Sequence, residues 1–172
     1  MKNVIIWIED RPDTVAGQIS FCKRLGFDVK VVGTAHRLAE LLKAEKDRTG
    51  LIIIDIMLFS VMSLDSIKIT GSQTEDGYKA GWVIIDRFLR TETPLDGMDD
   101  YKNIPILIVS TRKQTDSDEA QISELKSRDG EWIDYIEKGG LDENGNISWI
   151  EQFENKIKEL HKQLFGKGND NE

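Results

Sequence analysis

Short apolar runs alternate with helical patterns along this chain, and this alternation limits the fold more than any other feature. The runs are rich in β-branched residues and are typical of buried parallel strands. Alternating strands and helices predict a parallel sheet with helices on both faces. The predicted strands are Val4–Ile8, Phe27–Val32, Leu51–Ile54, Ile104–Val109 and Trp132–Ile136.

Apolar residues at helical spacing follow each run, and the breaks between them place the helices. Gly50 is expected to end the second helix. The predicted helices are Thr14–Leu25, Thr34–Lys46, Gly77–Leu89, Asp116–Ser127 and one that Ser148 caps.

The pattern predicts a single α/β domain with a flavodoxin-like fold, a three-layer sandwich around a five-stranded parallel sheet. Right-handed crossovers leave few strand orders. The order 2-1-3-4-5 places the first and third strands side by side at the point where the strand order reverses. The 172 residues suffice for one domain with a proper core. We expect it to cover residues 1–165, with a disordered tail at 166–172.

Composition argues against several classes of function. The net charge of −8 and the absence of a basic run argue against nucleic acid or an anionic membrane as partner. No apolar segment approaches the roughly 18 residues of a membrane span, and the N-terminus lacks a signal-peptide pattern. We therefore expect a cytoplasmic protein. Cys22 is the only cysteine, which excludes an internal disulfide, and we interpret it as a small core residue.

The connection after the third strand is unusually long. Between Asp55 and Asp76 lie 20 residues, most of them polar and without a sustained period. Loops in this position are ordinarily far shorter, so an insert at about 59–75 is expected to be either functional or mobile.

Side chains suited to ion and phosphate chemistry follow four of the predicted strands. Glu9, Asp10, Asp55, Ser110 and Lys138 each lie at the C-terminal end of a strand, and in open parallel sheets ligands bind at this edge. Two carboxylates about 4 Å apart repel by roughly 4 kcal/mol at an effective dielectric constant of about 20. Either a proton or a hard divalent cation such as Mg²⁺ relieves such crowding.

The same set permits phosphoryl transfer to a carboxylate. Asp55 would be the nucleophile, and Lys138 would neutralise charge on the phosphoryl oxygens. Ser110 would donate a hydrogen bond to one of those oxygens, and its movement would turn modification into a change of shape. Taken singly, each residue has a simpler interpretation as a helix cap or a solvated surface group. The agreement of four strand ends favours the phosphoryl site.

Five segments resemble the receiver domain of two-component response regulators, over nearly the whole chain from Val4 to about Leu164. They are VIIWIEDRP, LIIIDIML, DGYKAGWVIIDRFLR, IPILIVSTR and DYIEKGG. The resemblance implies a stand-alone receiver whose phosphoacceptor is Asp55, with Lys138 as the site lysine. It also implies a histidine kinase or phosphotransfer protein as the phosphoryl donor and a further, unknown downstream protein as partner.

The resemblance also implies a magnesium site and a switch. Asp10, Asp55 and the backbone carbonyl of Met57 would bind Mg²⁺, with Glu9 assisting through a water molecule. The switch pair would be Ser110 together with Tyr135, at the position of the family's switch aromatic residue. The chain would act as a phosphoacceptor rather than as an enzyme, apart from its own phosphorylation and dephosphorylation. The charged last helix also admits a homodimer contact.

Two departures from the family pattern leave an alternative open. Gly139 stands where the family usually has proline, and the insert after Leu58 replaces a short connector. A receiver-like interaction module that takes no phosphate is the alternative they motivate. A phosphatase with an aspartyl phosphate intermediate is disfavoured, because Met57 occupies the position where it needs a second carboxylate.

Overall fold

Five parallel strands form one sheet in the order β2-β1-β3-β4-β5, as the sequence predicts. The computed structural model describes residues 2–59, 70–90, 101–129, 132–139 and 148–165. The strands are β1 Val4–Ile8, β2 Asp28–Val32, β3 Thr49–Ile54, β4 Ile106–Ser110 and β5 Ile133–Glu137. The first and third strands are adjacent, so their carboxylate-bearing ends meet.

Helices lie on both faces of this sheet. A 3₁₀ turn at Pro12–Val15 leads into the first helix, and a π-helical turn at Ile85–Leu89 continues the third. The helices are α1 Ala16–Arg24, α2 Ala35–Glu45, α3 Ala80–Ile84, α4 Asp116–Asp129 and α5 Ser148–Phe165. None of the helices in the described part of the chain is long and apolar enough to cross a membrane.

Two apolar cores result, one on each face of the sheet, because successive strand residues point to opposite sides. Ile6 and Ile8 of β1 pack with α2, the Ala80–Leu89 segment and α4. Trp7 packs with α1 and α5, where its ring centroid lies 5.4 Å from that of Phe153. Cys22 belongs to this second core, and its burial raises the pKa of the thiol to about 12. The interpretation of Cys22 as a core residue is confirmed.

Several predicted boundaries differ from the structure by one to three residues, and for two of them the backbone gives the reason. β3 begins at Thr49, so Gly50 lies in the strand instead of ending α2; a Cβ there would be 2.4 Å from the Lys2 carbonyl oxygen. The helix predicted from Gly77 begins only at Ala80. Gly77 has a φ of +99°, and this left-handed backbone cannot continue a right-handed helix.

Part of the predicted organisation falls on residues outside those described. The connection between Ile54 and Ala80 includes a 3₁₀ turn at Gly71–Thr74. Residues 60–69 of the predicted insert lie outside the described residues, and so does the tail at 166–172.

Candidate functional site

The C-terminal ends of β1, β3, β4 and β5 bring the predicted site residues to one edge of the sheet. Backbone hydrogen bonds extend the ladder one residue past β1, β3 and β5, while Ser110 is the last residue of β4 itself. The Glu9 amide donates to the last carbonyl of β2 at 3.0 Å, and the Asp55 amide donates to the last carbonyl of β1 at 3.0 Å. The Lys138 amide donates to the last carbonyl of β4 at 2.6 Å. The sheet itself therefore fixes the backbone positions of these functional residues.

Lys138 joins two of the acidic side chains. Its ammonium group lies 2.5 Å from Glu9 Oε2 and 2.7 Å from Asp55 Oδ2, and its side chain is only 8% exposed. Burial raises the pKa of Glu9, as does the charge of Asp55, while Lys138 opposes the rise. One ammonium group therefore serves two buried carboxylates, and the site keeps an excess of negative charge.

Both oxygens of the Asp55 carboxylate accept hydrogen bonds. Oδ1 accepts from the Ser110 hydroxyl at 2.6 Å and from the Met57 amide at 2.9 Å. Oδ2 accepts from Lys138 at 2.7 Å. Asp55 and Ser110 are both buried. These hydrogen bonds bring together the carboxylate, hydroxyl and ammonium groups that the sequence predicts at this edge of the sheet.

Asp10 contacts the start of the long connection. Its Oδ2 accepts a hydrogen bond of 3.1 Å from the Phe59 amide, while Glu9 and Asp55 both bind Lys138. Among the described residues, no three His, Cys, Asp or Glu side chains are arranged to hold a metal ion. The donor set nevertheless suits a hard cation, since β1 and β3 end in three carboxylates, Lys138 pairs with only two of them, and Mg²⁺ prefers oxygen ligands.

The predicted switch residue Tyr135 lies on β5. Its hydroxyl donates to the Arg112 carbonyl at 2.6 Å, in the segment that follows β4. Burial raises the pKa of Tyr135 to about 12, further above neutral pH than that of an ordinary tyrosine. The predicted switch pair of Ser110 and Tyr135 is thus connected through Arg112, whose amide donates to Ser110 Oγ at 3.3 Å.

Solved structures with similar architecture allow this geometry to be compared with known proteins. A protein assigned as a response regulator from Chloroflexus aurantiacus J-10-fl matches with a TM-score of 0.52 and 15% identity, over 94% of this chain and 98% of the other. The signal receiver domain of a histidine kinase from Syntrophus aciditrophicus matches with a TM-score of 0.52 and 16% identity, over 99% and 95%.

A third structure is the receiver domain of a sensor histidine kinase from Pseudomonas aeruginosa PAO1. It matches with a TM-score of 0.50 and 13% identity, over 96% of this chain and 99% of the other. That domain was solved with a magnesium ion coordinated in its active site cleft. The chain has the fold of a response regulator receiver domain. No protein-family model and no curated protein matches the sequence.

One residue beside Asp55 is not among the site residues that the sequence pattern predicts. The Gly81 amide donates to the Ile56 carbonyl at 3.0 Å, and a Cβ on Gly81 would be 2.3 Å from the Asp55 carbonyl oxygen. α3 therefore reaches the backbone that presents Asp55 only because position 81 has no side chain. An isolated glycine inside a helical pattern is the signal that could have identified it.

The departure at Gly139 has a local explanation in this receiver fold. Gly139 has a φ of +117°, whereas proline is restricted to about −65°. We expect Gly139→Pro to displace Lys138 and to lower stability by about 3 kcal/mol, the order of cost of a proline whose φ cannot be met. Urea unfolding measures this loss of stability. Gly139→Ala is expected to cost less, about 1–2 kcal/mol. A proline variant as stable as the wild type would contradict this account of the loop.

Proposed function

We propose that this protein is a receiver that accepts a phosphoryl group on Asp55 and signals through phosphorylation-dependent binding of another protein. The observation that carries the proposal is the pair of contacts made by the Asp55 carboxylate. One oxygen accepts from the Ser110 hydroxyl and the other from the Lys138 ammonium. Phosphoryl transfer to a carboxylate needs positioning and neutralised charge more than covalent work, and these groups supply both.

The reaction itself is a displacement at phosphorus. The donor is a phosphohistidine of a histidine kinase or phosphotransfer protein. A carboxylate oxygen of Asp55 forms a bond to phosphorus as the P–N bond breaks, and the imidazole leaves with the bonding electron pair and takes a proton from solvent. Lys138 then moves its charge toward the phosphoryl oxygens. The Ser110 hydroxyl turns from Asp55 Oδ1 to one of those oxygens.

Magnesium is part of this proposal. Asp10, Asp55 and the Met57 carbonyl would hold the ion, with Glu9 assisting through water. When bound, it supplies positive charge for the phosphoryl oxygens. The Asp10 carboxylate accepts from the Phe59 amide through Oδ2 in this structure, so this proposed ligand also contacts the start of the long connection.

Acetyl phosphate provides the test, because its P–O bond breaks and acetate leaves without any partner protein. We expect incubation with Mg²⁺ to add one phosphoryl group by intact mass spectrometry, and Asp55→Asn to abolish the addition. Asp28→Asn, at an aspartate whose side chain is 36% exposed on β2, serves as the matched control and should be phosphorylated normally. An unmodified wild type, or equal modification of Asp55→Asn, would end the proposal.

Magnesium binding should also stabilise the fold by mass action. For a Kd of about 1 mM, 10 mM Mg²⁺ adds roughly 1.4 kcal/mol, or a Tm rise of about 3–6 °C for a chain of this size. We expect Asp10→Asn to remove most of this rise in differential scanning calorimetry. If Asp10→Asn keeps the full rise, the ion binds elsewhere.

A further inference from the structure

Arg112 connects the site to the helices on one face of the sheet. Its backbone amide donates to Ser110 Oγ at 3.3 Å, and its backbone carbonyl accepts from the Tyr135 hydroxyl at 2.6 Å. Its guanidinium group forms a short ion pair with Asp118 in the first turn of α4. One residue thus contacts the phosphoryl-sensing hydroxyl, β5 and α4 together.

Asp118 is buried, with only 2% of its surface exposed, and it joins three elements. Its Oδ1 accepts from the Trp82 indole of α3 at 2.7 Å as well as from Arg112. Its Oδ2 accepts from the amide of Thr115 at 2.8 Å and from the hydroxyl of Thr115 at 2.7 Å. Burial opposes ionisation, but the hydrogen bonds from Thr115, Arg112 and Trp82 outweigh it and lower the pKa of Asp118. The carboxylate is therefore a charged anchor for the segment between β4 and α4.

The Arg112 guanidinium is incompletely satisfied in this arrangement. Its Nε is buried and has no hydrogen-bond partner among the described residues. A buried unsatisfied N–H group costs about 1–3 kcal/mol. The ion pair between Arg112 and Asp118 therefore stabilises this arrangement less than a fully hydrogen-bonded guanidinium group would.

Phosphoryl uptake on Asp55 requires movement at this point. The Ser110 hydroxyl donates to Asp55 Oδ1 and its oxygen accepts the Arg112 amide. The hydroxyl has to turn away from the nucleophilic carboxylate, and the segment that carries the Arg112 amide has to follow it or lose its acceptor. The ion pair between Arg112 and Asp118 holds that segment against α3 and α4.

We propose that the ion pair between the half-buried Arg112 and the buried Asp118 is a latch that sets how readily Asp55 accepts a phosphoryl group. The inference rests on the proposed function, and it makes both residues positioning residues, since neither contacts the reacting atoms. When the ion pair is formed, it favours the arrangement in which the Ser110 hydroxyl donates to Asp55. Breaking it shifts the population toward the arrangement that the phosphorylated protein adopts.

Two variants and one control test the latch. Arg112→Met removes the charge and keeps an apolar stem. Asp118→Asn removes the charge and keeps one acceptor oxygen, which can serve either Trp82 or Thr115, because these two residues donate to different oxygens of the carboxylate. Arg48→Met breaks the two ion pairs that a half-exposed arginine makes with Asp28 and Glu45, and it serves as the control for loss of a surface arginine.

Two measurements are made on each protein alongside its Tm. The rate of phosphorylation by acetyl phosphate with Mg²⁺ is expected to rise about fivefold or more in Arg112→Met and Asp118→Asn, the lower range of coupling between sites. Amide hydrogen exchange of residues 111–118 in the unmodified protein should become faster in both variants, while Arg48→Met stays at wild-type values in both measurements.

The outcomes separate the latch from the function on which it rests. Wild-type rates of phosphorylation and exchange in folded Asp118→Asn would overturn the latch while leaving the phosphoacceptor role standing. A wild type that takes no phosphoryl group would overturn the proposed function. Amide hydrogen exchange of the unmodified protein would then still show whether the pair of Arg112 and Asp118 holds residues 111–118 in place. A purely structural role would lower Tm without raising the phosphorylation rate, and this too would overturn the latch.

Discussion

Gly81→Ala is expected to destabilise the protein by about 3 kcal/mol, although alanine is the better helix former by about 1 kcal/mol. The new Cβ would be 2.3 Å from the Asp55 carbonyl oxygen and 2.7 Å from the Ile56 Cα. Both are backbone atoms of the segment that leaves β3, so neither can rotate away as a side chain would. α3 has to move off the sheet, and the backbone that presents Asp55 moves with it.

Gly17→Ala is the matched control for this change, because Gly17 also lies in a helix. It is exposed in α1, and a Cβ there would meet nothing within 4 Å. The same substitution should therefore stabilise the protein by about 0.5–1 kcal/mol through helix propensity. Urea unfolding of both variants measures the difference in sign. Equal effects at Gly17 and Gly81 would show that α3 does not depend on close approach to Asp55.

Lys138→Met is expected to have the largest effect on phosphoryl uptake. It removes the charge that faces Asp55, and loss of one such electrostatic group lowers reaction rates by about 100-fold or more. It also leaves the Glu9 and Asp55 carboxylates buried without their shared ammonium group. Removing one partner of a buried ion pair costs about 3–5 kcal/mol.

The stability of Lys138→Met should depend on pH in a defined direction. Burial already raises the pKa of Glu9, so ionising this carboxylate costs folding free energy. The stability contributed by protonated Glu9 is present at acid pH and is lost as the pH rises through its folded-state pKa. Without Lys138 to oppose the shift, we expect a steeper loss than in the wild type, measured by urea unfolding across the acid to neutral range.

A second substitution separates folding from chemistry at this site. Adding Glu9→Gln to Lys138→Met removes one of the two unpaired carboxylates and should recover part of the stability at neutral pH. Phosphoryl uptake should stay low, because nothing replaces the positive charge of Lys138 beside Asp55. Lys79→Met, at an exposed pair with Glu75, should change stability by less than about 1 kcal/mol. If Lys138→Met takes up phosphoryl groups at the wild-type rate, the lysine has no part in the mechanism.

The sequence predicts the strands and their order well because burial on both faces leaves a strong signal. β1 is predicted at Val4–Ile8, the bounds that the structure has. β3 starts earlier than predicted because Thr49 and Gly50 carry no apolar signal, and Gly50 is selected by contact with a distant backbone. The α3 boundary depends on the left-handed backbone at Gly77, which neither periodicity nor composition reveals.

The site is predictable for residues that end strands and not for residues that act through distant contacts. Sheet topology brings Glu9, Asp55 and Lys138 together, and the structure confirms this convergence. The contact between Asp10 and the Phe59 amide depends on the path of the long connection, which no pattern in the sequence encodes. Asp118 looks like an ordinary first-turn acid of an exposed helix, and only the fold shows that it is buried.

A crystal structure determined with Mg²⁺ and beryllofluoride, a mimic of the phosphoryl group, tests the central claim most directly. The account predicts a tetrahedral beryllofluoride group bonded to Asp55, with Lys138 and the Ser110 hydroxyl on its fluorine atoms and the cation bound by Asp10. Occupancy of another carboxylate, or an Asp55 that still binds Lys138 and Ser110 at saturating beryllofluoride and Mg²⁺, would contradict it.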